Sequence, residues 1–296
     1  MLSIIICSAN ENDLNLVSQS IKNTVGVPYE IISFNNSDGK KGICELYNQG
    51  TARAKYDLLC FMHEDIEMIT EKWGQKIETI FSENNNLGLL GIAGGGYKSV
   101  VPSSWYNADL EINGGFYINL VQGFRYSGKP DIHDYRNPRN ETLSKVASID
   151  GCWMCTRKSV AQKYPFDEDL LRNFHGYDLD FSFSVGQQFE IAVTYEILLK
   201  HFSEGNFTQQ WMEDTLKVHK KWSWILPINS DQLDAKILKG NERRAFRIFF
   251  ERALKQGYSF SEVSKIIWNT RHSRIFPLRI IFKMFFDLWK VFRKIR

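Results

Sequence analysis

The residues best placed to do chemistry are His63-Glu64-Asp65, with Glu67 close behind. They follow an apolar run, Leu58 to Met62, that is long enough for one buried strand. In open α/β sheets, ligands bind just beyond the carboxyl ends of the strands. Carboxylates at such a point can hold a hard divalent cation, and that cation can hold a diphosphate. Asp65 is the candidate central ligand. The competing reading is a plain strand-to-turn junction with solvated acids. A second acidic cluster, Asp178 and Asp180, lies in Phe174-His175-Gly176-Tyr177-Asp178-Leu179-Asp180, which reads as a helix entered from a glycine turn. Negative side chains are favoured in a helix's first turn, and a carboxylate there is held fixed facing a cleft. His201 ends a late apolar run, Ile191 to Leu199, either as a metal ligand or as a satisfied polar residue.

The elements that must position these residues alternate. Ser3–Ser8 reads as a buried strand. Leu14, Val17, Ile21 and Val25 recur at helical spacing. Glu30–Phe34 is a second strand, Cys44–Ala54 a helix, and Leu58–Met62 a third strand. Short links between strand and helix predict a parallel α/β half-domain. Lys72–Phe81 is a further helix, with Trp73, Ile77, Ile80 and Phe81 on one face. A fourth strand, Leu87 to Ala93, runs into Gly94-Gly95-Gly96, read as a loop open to close approach by a ligand. Residues 99–145 are irregular and carry Trp105, Tyr106, Phe116, Tyr117, Phe124, Tyr126 and Tyr135. Long segments of this kind are often binding loops, and aromatic faces suit sugar rings.

The 296 residues suit one large domain with an appendage. The boundaries are read as 1–225 for the α/β domain and 226–296 for a helical region. That region holds helices over Asp234–Gly257, from the capping box Ser259–Glu262 through Trp268, and from Pro277 onward. In the last of these, Leu278, Ile281, Phe285, Leu288 and Phe292 make an apolar stripe beside Arg279, Lys283, Lys290 and Lys294. A basic amphipathic helix can lie on an anionic membrane surface or pack on the body. From residue 271 onward eight Lys/Arg face one acid, so that stretch carries +7 and the rest of the +3 chain carries −4. The basic character is local and argues against nucleic acid as a partner. Leu2 to Cys7 is too short for a secretory leader, and no run reaches the roughly 20 apolar residues of a membrane span. Five cysteines without framework spacing fit reduced thiols, and the isolated Cys152–Cys155 pair is read as neither a zinc nor a redox site. The expected place is the cytoplasm, with peripheral contact at the inner face of the membrane.

With these residues placed, Ser3 to about Trp222 resembles a family-2 type glycosyltransferase of the GT-A fold. Four blocks carry the resemblance in order. They are Ser3–Ser8 with Glu30–Asp38; Gly42–Gly50 followed by Phe61-Met62-His63-Glu64-Asp65, where the family carries its DXD motif; Asp150-Gly151-Cys152-Trp153-Met154; and His175–Asp180. The resemblance implies an α/β fold with a mostly parallel sheet flanked by helices. It also implies a metal-dependent, inverting, hexosyltransferase-like enzyme that uses a UDP-sugar by preference. The acceptor would be a saccharide or lipid-linked molecule in surface polysaccharide or glycoconjugate synthesis. By the same resemblance, Asp65 and His201 bind Mn2+ or Mg2+, and Asp178 is the base, with Asp180 its rival. Ser8, Glu30, Asn35, Asn36, Asn48, Glu64 and Asp65 contact the donor nucleotide. Asp150, Gly151, Trp153 and His175 face the acceptor.

Two positions depart from the family. His63 replaces the first acid of the motif, and Asn35-Asn36 stand where an Asp often meets the nucleoside. Two other functions compete: a silent glycan-binding or scaffold protein on the same fold, and a sugar-nucleotide pyrophosphorylase. The latter needs a glycine-rich basic loop after the first strand, and Ala9 to Asp13 is acidic instead.

Overall fold

Leu2–Ser8 forms strand β1 because its apolar, largely β-branched side chains are buried on both faces. Asn10 then caps helix α1 (Glu11–Thr24), its side chain accepting from the N–H groups of Asn12 and Asp13. The chain returns as β2 (Tyr29–Asn35), crosses through α2 (Ile43–Arg53), and re-enters as β3 (Leu58–Met62) on the other side of β1. All three strands are parallel. Gly50 lets α2 lie against the sheet, since a Cβ there would come within 2.4 Å of Ile5.

The remaining elements are β4 (Ile66–Met68), α3 (Trp73–Glu83), β5 (Leu87–Gly91), β6 (Ala93–Gly95), β7 (Tyr97–Lys98), β8 (Phe116–Gln122), β9 (Ile132–Arg136), β10 (Leu143–Lys145), β11 (Ser148–Ile149), β12 (Trp153–Arg157), α4 (Lys158–Lys163), α5 (Tyr177–Val185), β13 (Glu190–Thr194), β14 (Leu199–His201), α6 (Gln209–Lys221), β15 (Ile228–Asn229), α7 (Ala235–Lys255), α8 (Phe260–Asn269) and α9 (Leu278–Ile295). This computed structural model describes residues 1–105, 107, 115–125, 128–202, 208–273 and 275–295. Tyr106, Tyr126, Arg274 and Arg296 lie outside the described residues.

The main sheet has seven strands in the order β10-β13-β5-β12-β3-β1-β2. Five of its strands, β13, β5, β3, β1 and β2, share one direction as expected, while β12 runs antiparallel between β3 and β5, and β10 runs antiparallel to β13. Alternate residues of β1, β3 and β12 feed two hydrophobic clusters, one on each face. A second sheet, β11-β6-β8-β14-β4 with β9 on β8, stands beside the carboxyl end of β3. Two expected single strands are each divided between the sheets. Leu87–Ala93 becomes β5 in one and β6 in the other, and Ile191–Leu199 becomes β13 and β14.

The three glycines serve packing rather than ligand access. A Cβ at Gly94 would lie 2.6 Å from the Ser148 carbonyl, at Gly95 2.8 Å from the Trp105 carbonyl, and at Gly96 2.2 Å from Asp231. The segment expected to be irregular contains β8, β9 and β10.

Helices α7, α8 and α9 enclose a third cluster, built on Phe246, Phe249, Phe250, Val263, Ile267, Ile281, Met284 and Leu288, into which Tyr97, Val100, Val101 and Met212 reach from the α/β body. The Ser259–Glu262 capping box opens α8. Ile281 and Leu288 therefore face protein, which corrects the apolar stripe expected to face a membrane. Among the described residues no helix is long and apolar enough to cross a membrane. All five cysteines are free and buried.

Candidate active site and metal centre

The chain leaves the main sheet at Met62 and enters the second sheet at Ile66, so His63-Glu64-Asp65 bridges the two sheets. Strand β14 pairs antiparallel with β4, and its register sets His201 opposite Ile66. The Phe202 N–H donates to the Asp65 carbonyl at 3.0 Å, which fixes the two segments side by side. The side chains of His63, Asp65 and His201 converge as a result. One ligand atom from each lies within 4.8 Å of the others.

The hydrogen bonds set the tautomer of His63. Tyr177 Oη lies 3.1 Å from the Gly151 carbonyl, which can only accept, and 2.6 Å from His63 Nε2. The single phenolic hydrogen goes to the carbonyl, so Nε2 must carry the proton that it donates to Tyr177. Nδ1 is left with its lone pair, 3.7 Å from Asp65 Oδ1. Gly151 is required here because a Cβ would sit 2.3 Å from Tyr177 Oη. On the other side, His201 Nε2 is 3.4 Å from Asp65 Oδ1, within ion-pair range but misaligned for a hydrogen bond. It is a buried polar atom with no hydrogen-bond partner among the described residues.

Burial alone would raise the Asp65 carboxyl, but His201 and then His63 outweigh it and bring it down to about 2. Burial lowers His63, chiefly, against the pull of Asp65. Two imidazoles around an ionised carboxylate, one ring nitrogen without a hydrogen bond, fit a divalent cation of the kind that imidazole and carboxylate bind together.

His63 and His201, with Asp65 Oδ1 beside their rings, line a cavity of about 760 Å³ together with Trp105, Asp150, Phe174, His175, Asp178 and Trp211. A smaller cavity of about 400 Å³, beyond Ser182 and Ile225, carries no carboxylate or imidazole. Asp178 stands in the first turn of α5, after Gly176, whose φ of +77° lets the chain turn into the helix. The residue is half-buried and opens on the cavity. Burial first, and the Asp150 carboxylate second, push it up to about 7, against hydrogen bonds from backbone N–H groups and the charge of Lys98.

Asp150 Oδ2 accepts from Trp105 Nε1 at 2.5 Å, and Oδ1 accepts from the Cys152 N–H at 2.7 Å. Behind this wall, buried Glu242 of α7 accepts from Tyr97 Oη (2.7 Å), Ser99 Oγ (2.8 Å) and the Val100 N–H (3.0 Å). Lys98 Nζ donates to Ser103 Oγ (2.7 Å) and to His219 Nε2 (3.0 Å). This network pins the segment that delivers Ser104 and Trp105 to the cavity.

The other expected site residues are placed unevenly. Asp150, Gly151 and His175 line the cavity with Asp178. Asp180 points away: it is buried, its oxygens 2.6 Å from Trp222 Nε1 and 2.8 Å from Lys221 Nζ. Trp153 is fully buried, edge-on to Trp73, and is a core residue rather than an acceptor contact. Glu30 sits at the amino-terminal end of β2, opposite Ser3 in register, and accepts from Ser3 Oγ and the Lys55 N–H. That end of a parallel sheet is remote from the ligand edge. Asn48 ties α2 to the Phe166–Glu168 turn. Asn36 braces its own loop through the Lys41 backbone. Exposed Asn35, at the end of β2, accepts from the Ser37 N–H. Glu64 accepts from Ser8 Oγ and from the N–H groups of Ala9 and Asn10, so it shapes the loop after β1 instead of joining the metal cluster.

His63 and Tyr177 are the residues the sequence reading left without a role. The two-residue spacing of His63 and Asp65 was the available signal, and the bend at Glu64 and Asp65 between β3 and β4 is what brings the two side chains together.

The central sheet flanked by helices is the fold of a GT-A glycosyltransferase. The chain belongs to the glycosyltransferase-like family, whose sequence model matches residues 3–222. Among solved structures it is similar to S. aureus TarS 1-349 in complex with UDP-GlcNAc, at TM-score 0.56 and 10% identity, covering 99% of this chain and 91% of that one. It is also similar to GalNAc-T7 with UDP, GalNAc and Mn2+, at TM-score 0.54 and 11% identity, covering 92% of this chain. The match spans 54%, about half, of the GalNAc-T7 chain. At such identities the likeness is one of fold. No curated protein sequence matches the chain.

Proposed function

We propose that the protein is a metal-dependent, inverting glycosyltransferase. It takes a sugar from a nucleoside-diphosphate donor, UDP-linked by preference, and passes it to a hydroxyl of a saccharide or lipid-linked acceptor in the synthesis of surface polysaccharide or another glycoconjugate. One observation carries this reading. Two imidazoles of a three-ligand cluster and a separate carboxylate poised near neutrality line a single cavity. Similar solved structures that hold UDP-GlcNAc, or UDP with Mn2+, support it.

His63 through Nδ1, Asp65 and His201 would hold the cation. Two imidazoles beside one carboxylate favour Mn2+ over Mg2+, which prefers oxygen ligands. When bound, the ion would supply Lewis-acid stabilisation to the departing diphosphate. The rest falls to the chain's own groups. Asp178 takes the proton of the acceptor hydroxyl as the new bond forms, and a base with a pKa near the working pH is the efficient choice. Asp150 keeps Asp178 basic by like charge. Trp105, Phe174 and Trp211 offer faces on which sugar rings can stack. A single displacement by the acceptor inverts the anomeric carbon, and the diphosphate leaves without needing a proton.

Incubation with a panel of α-linked UDP-sugars and Mn2+, with water as default acceptor, tests the reading by proton NMR of the released sugar. Appearance of the β-anomer first, and its loss on chelation, is the expected result. Release of the α-anomer first, or release unaffected by EDTA, would overturn the inverting, metal-dependent assignment.

A further inference from the structure

Helix α9 is amphipathic twice over. One face, carrying Ile281, Met284 and Leu288, is fully buried against the other C-terminal helices. The opposite face leaves large side chains in solvent. Phe282 is 64% exposed, Phe286 52% and Trp289 43%, with Leu278 on the same side. At 100° per residue, these four share an arc that runs directly into Arg279, Lys283, Lys290, Arg293 and Lys294, all of them exposed. The helix has a single acid, Asp287, turned inward against Arg243 and Arg247. Phe286 and Trp289 stack at 5.8 Å between centroids, with Lys290 Nζ 4.5 Å from the Phe286 ring and the Arg293 guanidinium 5.0 Å from the Trp289 ring. Glu251 of α7, which feels the charge of Lys294, is paired with Lys255.

We propose that this outward face of α9 docks the protein on an anionic phospholipid surface, with Phe282, Phe286 and Trp289 entering the headgroup layer and the five cations meeting lipid phosphates. Aromatic side chains flanked by Lys and Arg are what an interfacial helix presents to such a surface. A second copy of this chain is a poor occupant, because it would set five cations against five. The helix cannot insert across the bilayer, since its basic arc and inward-facing Asp287 forbid it. The proposal is independent of the sugar chemistry.

Co-sedimentation of the full chain with sucrose-loaded vesicles tests it. Vesicles of phosphatidylcholine and phosphatidylglycerol at about 7:3 should pellet the protein, and pure phosphatidylcholine should not. Each Lys near an anionic surface is worth about 1 kcal/mol, so Lys283→Gln, Lys290→Gln and Lys294→Gln together should lower partitioning about 100-fold. Phe286→Ser with Trp289→Ser should lower it by at least ~10-fold, because exposed aromatics supply the buried apolar area. On the unmodified chain, about 0.5 M salt should release the protein, and this needs no variant to fold. Equal binding to neutral vesicles, salt-insensitive binding, or variants that partition like the parent would overturn the proposal. So would gel filtration showing an oligomer that the Phe286→Ser, Trp289→Ser change splits into monomers.

Discussion

Replacing Asp178 by asparagine should do two opposed things: slow turnover and stabilise the fold. The carboxyl is lifted from 3.8 to about 7, which means the native state prefers it protonated. An upward shift contributes stability below the unfolded value and loses it as pH rises through the folded value. At about 1.36 kcal/mol per unit, ionising Asp178 above pH 7 costs the native state at most about 4 kcal/mol. The side chain opens on a hydrated cavity, so about 2 kcal/mol is the fairer figure. An asparagine at this position cannot ionise and escapes the cost.

Melting scans of both proteins between pH 4.5 and 8.5 should show the variant gaining on the parent as pH rises to about 7, then a constant margin of roughly 4–8 °C. Turnover should fall by at least ~10²-fold, with sugar-nucleotide binding retained. A variant that melts lower than the parent at pH 8 and turns over at the parental rate would refute both the strain on Asp178 and its role as base.

Tyr177→Phe removes the acceptor that keeps the proton on His63 Nε2, and Mn2+ affinity by calorimetry should drop about 10-fold or more, beside a lower melting temperature because the Gly151 carbonyl and the His63 N–H lose that partner. Glu242→Ala leaves Tyr97 Oη, Ser99 Oγ and the Val100 N–H buried without their acceptor. Chemical denaturation should report a loss of about 3 kcal/mol, because three buried donors lose their acceptor at once. Asp180→Asn should cost stability through the Lys221 and Trp222 contacts while kcat stays within about two-fold of the parent, which separates it from Asp178.

Elements with one strong period were legible in the sequence. β1, β3 and α1 fall where apolar spacing put them, since each is buried in a single layer. What the pattern hid was the change of sheet. A continuous apolar run such as Leu87–Ala93 carries no mark of the point at which its hydrogen bonds pass from β12 and β13 to β8 and β11. The site divides in the same way. Asp65, His201 and Asp178 are polar residues at the ends or starts of apolar elements, and position alone marked them. Glu30 and Asn48 are polar too, yet one lies at the wrong end of its strand and the other holds a turn, distinctions that need the register. His63 looked like a missing acid because its worth depends on Tyr177, which is 114 residues away.

Calorimetric titration of the protein with UDP, with and without Mn2+ and on Asp65→Asn beside the parent, addresses the metal cluster most directly. Held by His63, Asp65 and His201, the ion should make UDP binding depend on Mn2+, and Asp65→Asn should weaken it at least ~10-fold, beside a lower melting temperature at neutral pH from the lost contact with His201. UDP binding of equal strength in EDTA, or an Asp65→Asn protein that binds UDP and Mn2+ as the parent does, would contradict the account.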